Sequence, residues 1–309
     1  MGAALLRRLR GDGCDAVALV RTSSSRLPPV SVPTVRVGEI VGTTNFSEAL
    51  AGITTVVHLA ARAHIMHDTA ADPLTAFRAV NVEGTLNLAR QAVELGVKRF
   101  VFVSSIKVNG EATKLGMPFS TDDLPAPLDP YGVSKMEAEQ GLRQIAAETG
   151  MEAVIIRPPL VYGPGVKANF AAMMRWLQRG VPLPLGAIYN QRSLVALDNL
   201  VDLIVTCLTH PAAANQTLLV SDGEDVSTTE LLRRMGQALG RPARLIPVPA
   251  GWLKLAATLV GKQDVAQRLC GSLQVDIEKT RQLLGWRPPQ TLDQGLKKAA
   301  EGYGRETGV

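Results

Sequence analysis

The chain of 309 residues is 46% hydrophobic, enough to bury the core of one large domain and a smaller appended one. Its 33 basic and 28 acidic residues give a mild net charge of +5, and only 4% of residues are aromatic, which argues against a nucleic-acid partner and favours a polyanionic small molecule. The cysteines Cys14, Cys207 and Cys270 are too few and too scattered for a disulfide framework or a metal-ligand cluster, so we expect no metal and a cytoplasmic location.

Short apolar runs alternate with helical patterns through the first half of the chain. Strands are predicted at 16–20, 34–37, 55–59, 99–103 and 153–157, and the main helices at 73–95 and 131–148. This alternation is typical of βαβ units with right-handed crossovers. The predicted fold class is therefore α/β, with a Rossmann-like doubly wound parallel sheet in residues 1–165 and a smaller α/β C-terminal region in residues 166–309, from which the chain can cross back.

The beginning of the chain departs from this plan. Sheets of this kind open with a strand and a glycine-rich turn whose N–H groups hold a dinucleotide pyrophosphate. Gly2 fits the last glycine of that turn and 3–9 the first helix, but the strand and the other glycines are absent. Losing a central strand leaves buried polar groups unpaired at roughly 1–3 kcal/mol each, so we expect the natural chain to begin about a dozen residues earlier.

The residue after the second strand bears on the cofactor. An acidic residue at this position normally binds the adenosine ribose and indicates NAD. Here Arg21 follows the strand, and the hydroxyl residues 22–25 come next. A cation with hydroxyls suits the additional phosphate of NADP, so NADP is favoured and NAD stays open.

Three residues carry the predicted chemistry. Ser105 follows the apolar strand 99–103, at the sheet edge where ligands of open α/β sheets bind. Tyr131 and Lys135 lie four residues apart at the start of a helix, so both side chains share one face. Poising a tyrosine near neutral pH takes about 4 kcal/mol, and we expect Lys135, a cofactor cation and burial to lower the pKa of Tyr131 accordingly.

With these residues the chain resembles the extended short-chain dehydrogenase/reductase superfamily, in the nucleotide-sugar epimerase and reductase branch of the NAD-dependent epimerase/dehydratase family. Further motifs of that family follow in order over nearly the whole chain: Val-His-Leu-Ala-Ala at 57–61, Asn-Val-Glu-Gly-Thr at 81–85, and Arg-Pro-Pro-Leu-Val-Tyr-Gly-Pro-Gly at 157–165. The resemblance implies that Ser105, Tyr131 and Lys135 are catalytic and that residues 166–309 bind the substrate.

The resemblance also implies which residues hold the dinucleotide. These are Gly2, Arg21, Glu39, Leu59, Ala60, Ala61, Asn81, Tyr131, Lys135 and Pro158. His58 lies inside an apolar strand, so a satisfied core histidine is favoured over a catalytic one.

Differences between this chain and the family's motifs reduce the number of reactions that the resemblance allows. Family dehydratases carry Asp-Glu directly after the catalytic hydroxyl residue, but Ile106 and Lys107 follow Ser105 here, which argues against dehydration. The resemblance leaves 4-epimerisation or 4-keto reduction of a UDP-sugar, in surface polysaccharide biosynthesis. Pro159 and Leu160 replace a Phe-Asn pair that often contacts the sugar nucleotide. The expected substrate contacts are Ser105, Lys167, Asn169, Arg192 and Arg268.

The C-terminal half supplies helices and one ambiguous apolar stretch. A capping box at Ser227 and Glu230 predicts a helix start, and further helices are expected at 198–208, 277–284 and 292–303. The stretch 250–260, interrupted by Lys254, is too short to cross a bilayer, so no integral membrane span is expected. We expect it to form a core helix, with contact to a membrane or a partner as the alternative.

Two other classes stay open beside the sugar-nucleotide enzyme. A non-catalytic Rossmann-fold regulator or scaffold would explain the missing glycine turn, although the intact Ser105, Tyr131 and Lys135 argue against it. A reductase of a steroid-like or flavonoid-like ketone would not need Arg192. The resemblance further implies a homodimer formed through the helices that carry 81–92 and 131–145.

Overall fold

The structure is a computed structural model that describes residues 1–21, 31–63, 72–166, 168–259, 261 and 263–307. Its first half alternates helices and strands: α1 (Gly2–Gly11), β1 (Ala18–Arg21), β2 (Thr34–Val37), α2 (Ser47–Leu50), β3 (Thr55–His58), α3 (Pro73–Arg78), α4 (Thr85–Glu94), β4 (Arg99–Val103), α5 (Pro130–Thr149) and β5 (Glu152–Arg157). A π-helix (Ala79–Gly84) joins α3 to α4, and a 3-10 turn (Ile106–Val108) follows β4.

The second half is richer in helices. It contains β6 (Leu160–Tyr162), α6 (Ala168–Gln178), β7 (Arg192–Ala196), α7 (Leu197–Thr209), β8 (Thr217–Leu219), β9 (Asp225–Val226), α8 (Thr228–Ala238), α9 (Ala250–Leu259), α10 (Gln263–Cys270), α11 (Glu278–Leu284) and α12 (Leu292–Thr307). Ser227 caps α8 as predicted, because its side chain accepts from the Glu230 N–H at 3.0 Å.

A parallel sheet in the order β3-β4-β5-β8 forms the centre of the molecule. Alternate residues of β4 point to opposite faces. Val101 and Val103 pack with Leu5 of α1 and with α7, whereas Phe100 and Phe102 pack with α4 and α5. Helices therefore cover both faces, which is the predicted doubly wound α/β architecture. Among the described residues β1 and β2 form a separate parallel pair.

A second, three-stranded sheet in the order β6-β7-β9 lies beside the first. Its core is built by α6, α8 and α12 around buried residues such as Phe170, Leu232 and Leu296. Residues after 165 also contribute to the first sheet, since β8 pairs with β5 and α7 packs against that sheet. Contacts of both sheets thus depend on residues after 165.

Two segments differ from the sequence prediction. The predicted helix 73–95 is interrupted by the π-helix, in which Gly84 lies so close to the chain that a Cβ there would stand 2.6 Å from the Ile40 carbonyl oxygen. The stretch 250–260 was expected in the core, but no residue of α9 is buried. The expectation of a core helix is therefore wrong. In the described part of the chain, every helix is too short or too polar to cross a bilayer.

Candidate active site

The structure brings Ser105 and Tyr131 together at the carboxyl end of β4. Ser105 leaves the strand and caps the 3-10 turn, because its hydroxyl accepts from the Lys107 N–H at 3.2 Å. Tyr131 is the second residue of α5, and its phenol lies near enough to the Ser105 hydroxyl for that group to influence its pKa. A substrate oxygen placed between the two hydroxyls would contact both.

Lys135 lies one helical turn after Tyr131, with 1% of its surface exposed. Its Nζ stands 3.9 Å from the centroid of the Phe102 ring, on β4, where the face of the ring attracts a cation. Burial lowers the pKa of Lys135 to about 7, and Glu139, one further turn along α5, acts in the opposite direction. Sequence reasoning missed Phe102.

The pKa of Tyr131 differs from the expectation. Burial and the charge of Asp129 raise it to about 12, and the nearby Ser105 hydroxyl offsets part of this. The expected lowering by Lys135 is wrong for this arrangement. The Lys135 ammonium lies over the ring of Phe102, and burial lowers its own pKa to about 7, which disfavours its charged form. It therefore does not offset the effect of burial on the pKa of the Tyr131 phenol.

An ion pair fixes the distance between the 3-10 turn and α5. Lys107 pairs with Asp129 and also with Glu111 at 3.0 Å. Asp129 in turn caps α5, because its Oδ1 accepts from the Gly132 N–H at 2.6 Å. A Cβ on Gly132 would stand 2.9 Å from the Lys107 carbonyl oxygen, so only glycine permits this approach. We call Lys107 and Asp129 the turn clamp.

A buried ion pair anchors α5 to the sheet. Arg157 at the end of β5 donates to both carboxylate oxygens of Glu139, at 2.9 and 2.6 Å, and to Asn109 Oδ1 at 2.9 Å. Asn109 also donates to the Ser120 carbonyl oxygen at 2.8 Å. Glu139 lies one turn beyond Lys135, so this network holds the catalytic face of α5 in place. The sequence analysis did not identify Glu139, although its position four residues after Lys135 places it on the same helix face as Tyr131 and Lys135.

Asn81, predicted to support the cofactor loops, ties the segment after β3 to α5. Its side chain accepts from the Arg62 N–H at 2.8 Å and donates to the Arg62 carbonyl oxygen at 3.1 Å. It also donates to the Ser134 hydroxyl at 2.9 Å. The loop that carries Ala60 and Ala61 is therefore held against the helix of Tyr131.

The other predicted cofactor residues lie around the same sheet edge. Gly2 lies beside Leu59, since a Cβ on it would stand 3.8 Å from Leu59 Cδ1. Ala60 and Ala61 are exposed. Pro158 is buried, and its carbonyl oxygen accepts from the Ile106 N–H at 3.0 Å, which brings it next to Ser105.

Arg21 and Glu39 lie further out, on the side of β1 and β2. Arg21 is exposed at the end of β1. Glu39 is exposed and lines a cleft of about 450 Å³ that also includes Thr44 and Glu48. The structure therefore does not bring these two residues to the Ser105–Tyr131 pair.

A nicotinamide dinucleotide fits the residues at this edge. The Ser104 hydroxyl is buried with no hydrogen-bond partner in the described chain, so it has free capacity for a bound group. Lys135 is a buried cation one turn from Tyr131, suited to ribose hydroxyls. Leu59, Ala60 and Ala61, with Gly2 beside them, offer small side chains along which a dinucleotide can lie.

Arg192 and Arg268, predicted to grip a diphosphate, lie next to each other. Arg192 Nη1 donates to the carbonyl oxygens of Arg268 and Gly271, at 3.0 and 3.1 Å, and thereby caps the C-terminal end of α10. Burial lowers the pKa of Arg192. Arg268 is exposed. Lys167 and the side chain of Asn169 lie outside the described residues.

A groove of about 460 Å³ opens near Arg192. It is lined by Leu115, Ala187, Ile188, Tyr189, Asn190, Pro249, Ala250, Cys270 and Ser272. Asn190 forms part of its floor and donates to the Gly271 carbonyl oxygen at 2.8 Å, the same atom that Arg192 contacts. The groove thus extends away from the predicted diphosphate contacts over a mainly apolar surface.

His58 is a core residue, as expected. Its Nε2 lies 3.0 Å from the Thr85 hydroxyl, and its ring stacks on Phe102 with 5.9 Å between centroids. Burial, with the charge of Lys135, lowers the pKa of His58 to about 3, so it is neutral at physiological pH.

Comparison with known proteins gives consistent matches. The model of the family "NAD dependent epimerase/dehydratase family" matches residues 1–220. A protein of Vibrio cholerae, "UDP-glucose 4-epimerase", is 57% identical over 268 residues, which are 86% of this chain and 82% of that protein. An Escherichia coli O157:H7 protein, "N-acetyl-alpha-D-glucosaminyl-diphospho-ditrans,octacis-undecaprenol 4-epimerase", is 29% identical over 86% of this chain and 82% of its own. The solved structure "MoeE5 in complex with UDP-glucuronic acid and NAD" superposes with a TM-score of 0.76 at 26% identity, covering 99% of this chain and 96% of its own.

Proposed function

The chain belongs to the NAD-dependent epimerase/dehydratase family, and on that premise we propose that it is an enzyme that inverts C4 of a UDP-sugar with NAD as its cofactor. The observation that carries this proposal is the convergence of three groups at the carboxyl end of β4: the turn that begins at Ser105 packs closely against α5 at Gly132, next to Tyr131, and the buried Lys135 lies one turn further along. The presence of Ser105, Tyr131 and Lys135 together at the edge of the sheet argues against the alternative of a non-catalytic scaffold. The 57% identity to a protein named UDP-glucose 4-epimerase favours epimerisation over one-way 4-keto reduction.

The chain's own residues would handle the proton of the C4 hydroxyl. NAD, when bound, supplies a reversible hydride acceptor. Tyr131 removes the hydroxyl proton and later returns it, and Ser105 orients the same oxygen by a hydrogen bond. Burial raises the pKa of Tyr131 to about 12, and Lys135 alone does not offset this, so we propose that the positive charge of the bound cofactor acts together with Lys135 to stabilise the phenolate.

NAD is the proposed cofactor rather than NADP. The solved relative MoeE5 carries NAD in its structure, and the family is described as NAD dependent. The comparisons give no support to the preference for NADP that Arg21 suggested. Arg21 is exposed at the end of β1, a position compatible with stacking on adenine as well as with solvent.

We propose that Arg192 and Arg268 contact the diphosphate of the substrate. Their neighbouring positions support this, and the solved relative holds UDP-glucuronic acid. A steroid-like ketone, which the sequence left open, would not use two adjacent arginines. Lys167 and Asn169 stay as predictions for the same role.

We further propose that the product is a precursor of surface polysaccharide, made in the cytoplasm by a homodimer. The relative in E. coli, named for a 4-epimerase of an undecaprenol-linked amino sugar, supports the polysaccharide connection. The homodimer would form through the helices that carry 81–92 and 131–145.

The test is direct product analysis. The protein is incubated with NAD and, separately, with UDP-glucose, UDP-N-acetylglucosamine and UDP-glucuronic acid, and the 4-epimers are quantified by anion-exchange chromatography and proton NMR. We expect interconversion of at least one pair without net change in NADH absorbance. Tyr131→Phe should lower the rate by at least about 100-fold, while Tyr303→Phe, which removes a phenol hydroxyl from α12, serves as the matched control. Net cofactor consumption with a 4-keto sugar instead would show a reductase.

A further inference from the structure

Helix α9 presents an apolar surface to solvent. Trp252, Leu255 and Leu259 are 68%, 55% and 80% exposed, and they lie at i, i+3 and i+7, so they share one face of the helix. The opposite face is already used, because Ala250 and Leu253 pack against the core beneath. Scattered exposed leucines are ordinary, but three large apolar side chains on one face of one helix mark a docking surface. We call Trp252, Leu255 and Leu259 the α9 stripe.

The segment around the stripe concentrates the positive charge of the protein. Residues 241–268 contain five basic residues against one acidic residue, Asp264, and so hold four of the five net charges of the chain. The basic residues are Arg241, Arg244, Lys254, Lys262 and Arg268. The four of them that the structure describes are exposed, and within the described chain none is ion-paired with a carboxylate. In the sequence, the stripe is therefore flanked on both sides by exposed cations.

We propose that α9 docks this protein on an anionic lipid bilayer. Tryptophan and leucine on one face, with lysine and arginine beside them, are the composition of helices that lie in the headgroup region. A helix of ten residues is about 15 Å long, too short to span and suited to lying flat. Each basic residue near an anionic surface strengthens binding until salt screens it.

Charge decides between the bilayer and a second copy of this chain. A symmetric dimer built on the stripe would bring two segments with four net positive charges each against one another, and like charges so placed repel. A protein partner would have to present an apolar centre surrounded by several acidic residues to neutralise these cations. A bilayer with acidic phospholipids offers negative charge and an apolar interior together.

Docking would orient the groove described above. Pro249 and Ala250 line that groove and lead directly into α9. A protein seated on α9 therefore holds the mouth of the groove near the bilayer surface. The proposal concerns this surface alone and holds whichever sugar the site accepts.

The experiment is vesicle flotation of the full chain. Vesicles of phosphatidylethanolamine and phosphatidylglycerol are compared with vesicles of phosphatidylcholine, each at low and high salt. We expect binding to the anionic vesicles that weakens with salt. The variant Trp252→Ser/Leu255→Ser/Leu259→Ser should lower the partition coefficient by at least about tenfold. The matched control Leu95→Ser/Leu124→Ser, which removes two exposed leucines elsewhere, should bind like the wild type.

Further readouts separate the alternatives. Binding should shift the tryptophan emission of the wild type to shorter wavelength, and the Trp252→Phe variant should lack that shift. Reversing Arg241 and Arg244 to glutamate should weaken binding to anionic vesicles while the apolar stripe stays intact. Equal flotation of the stripe variant and the wild type overturns the proposal. So does a concentration-dependent dimer in gel filtration that the stripe variant loses, without vesicle binding, because the stripe then serves a second copy.

Discussion

Replacing Lys135 by methionine tests how strongly burial opposes the charge of this amine. Burial lowers its pKa to about 7 from the ordinary value of 10.5. Below pH 7 both the folded and the unfolded chain carry the charged amine, and the folded state bears the full cost of burying it. Since one pKa unit corresponds to about 1.4 kcal/mol, the shift corresponds to a cost of roughly 5 kcal/mol. Between pH 7 and 10.5 the unfolded chain binds more protons, so the stability of the wild type rises with pH.

The Lys135→Met variant lacks this dependence. Its excess free energy of unfolding over the wild type should be about 5 kcal/mol at pH 6 and fall to about 2 kcal/mol at pH 9. Urea unfolding of both proteins at pH 6, 7, 8 and 9, without added NAD, measures the difference. A difference that stays constant over this range, or that grows with pH, refutes the assignment of a buried amine with a lowered pKa.

Three further predictions concern the same site. Tyr131→Phe should lower kcat for epimerisation by about 10²- to 10⁴-fold, the usual contribution of a general acid–base, and a loss below tenfold would contradict its role. Glu139→Leu should lower the free energy of unfolding by about 3–5 kcal/mol because it leaves Arg157 buried without its carboxylate, and the double variant with Arg157→Met should recover most of that in urea titrations. Arg192→Ala should raise KM for the UDP-sugar by about tenfold with a smaller effect on kcat, and an unchanged KM in initial-rate kinetics would remove it from the binding site.

The sequence predicted those parts of the site that depend only on residues close together in the chain, namely a buried strand and the start of a helix. The apolar run 99–103 has no polar residue except Arg99, so it could only be a buried strand, and β4 has these bounds. Asp129 followed by Pro130 is a strong helix start, and the spacing of Tyr131 and Lys135 then fixes a shared face. These features need no knowledge of distant residues.

Other features depend on residues that are far apart in sequence. The ammonium of Lys135 lies over Phe102, 33 positions earlier, and burial by surrounding elements raises the pKa of Tyr131, which the sequence analysis expected to be lowered. Glu139 is neutralised by Arg157 on another element. The run 250–260 is apolar enough for a core, but an apolar pattern does not show whether other elements cover it. In the part of the chain that the structure describes, no residue of α9 is buried.

The turn clamp lies at the base of a loop whose two ends carry the proposed catalytic residues and whose tip lies near the proposed substrate-binding residue Arg192. Lys107 and Asp129 close the two ends of the loop 108–128, so the distance from Ser105 to Tyr131 is set at the base of the loop and not along it. The tip is tied elsewhere, since Thr113 and Phe119 pair with Ser272 and Val275 near Arg192. Asn109 and Ser120 belong to the network that anchors α5, so exchanges confined to residues 112–119 would alter the part of the loop nearest Arg192 and leave that network in place. Segment 112–119 is therefore the place to begin when engineering is meant to change the surroundings of Arg192 without touching Ser105, Tyr131 or Lys135.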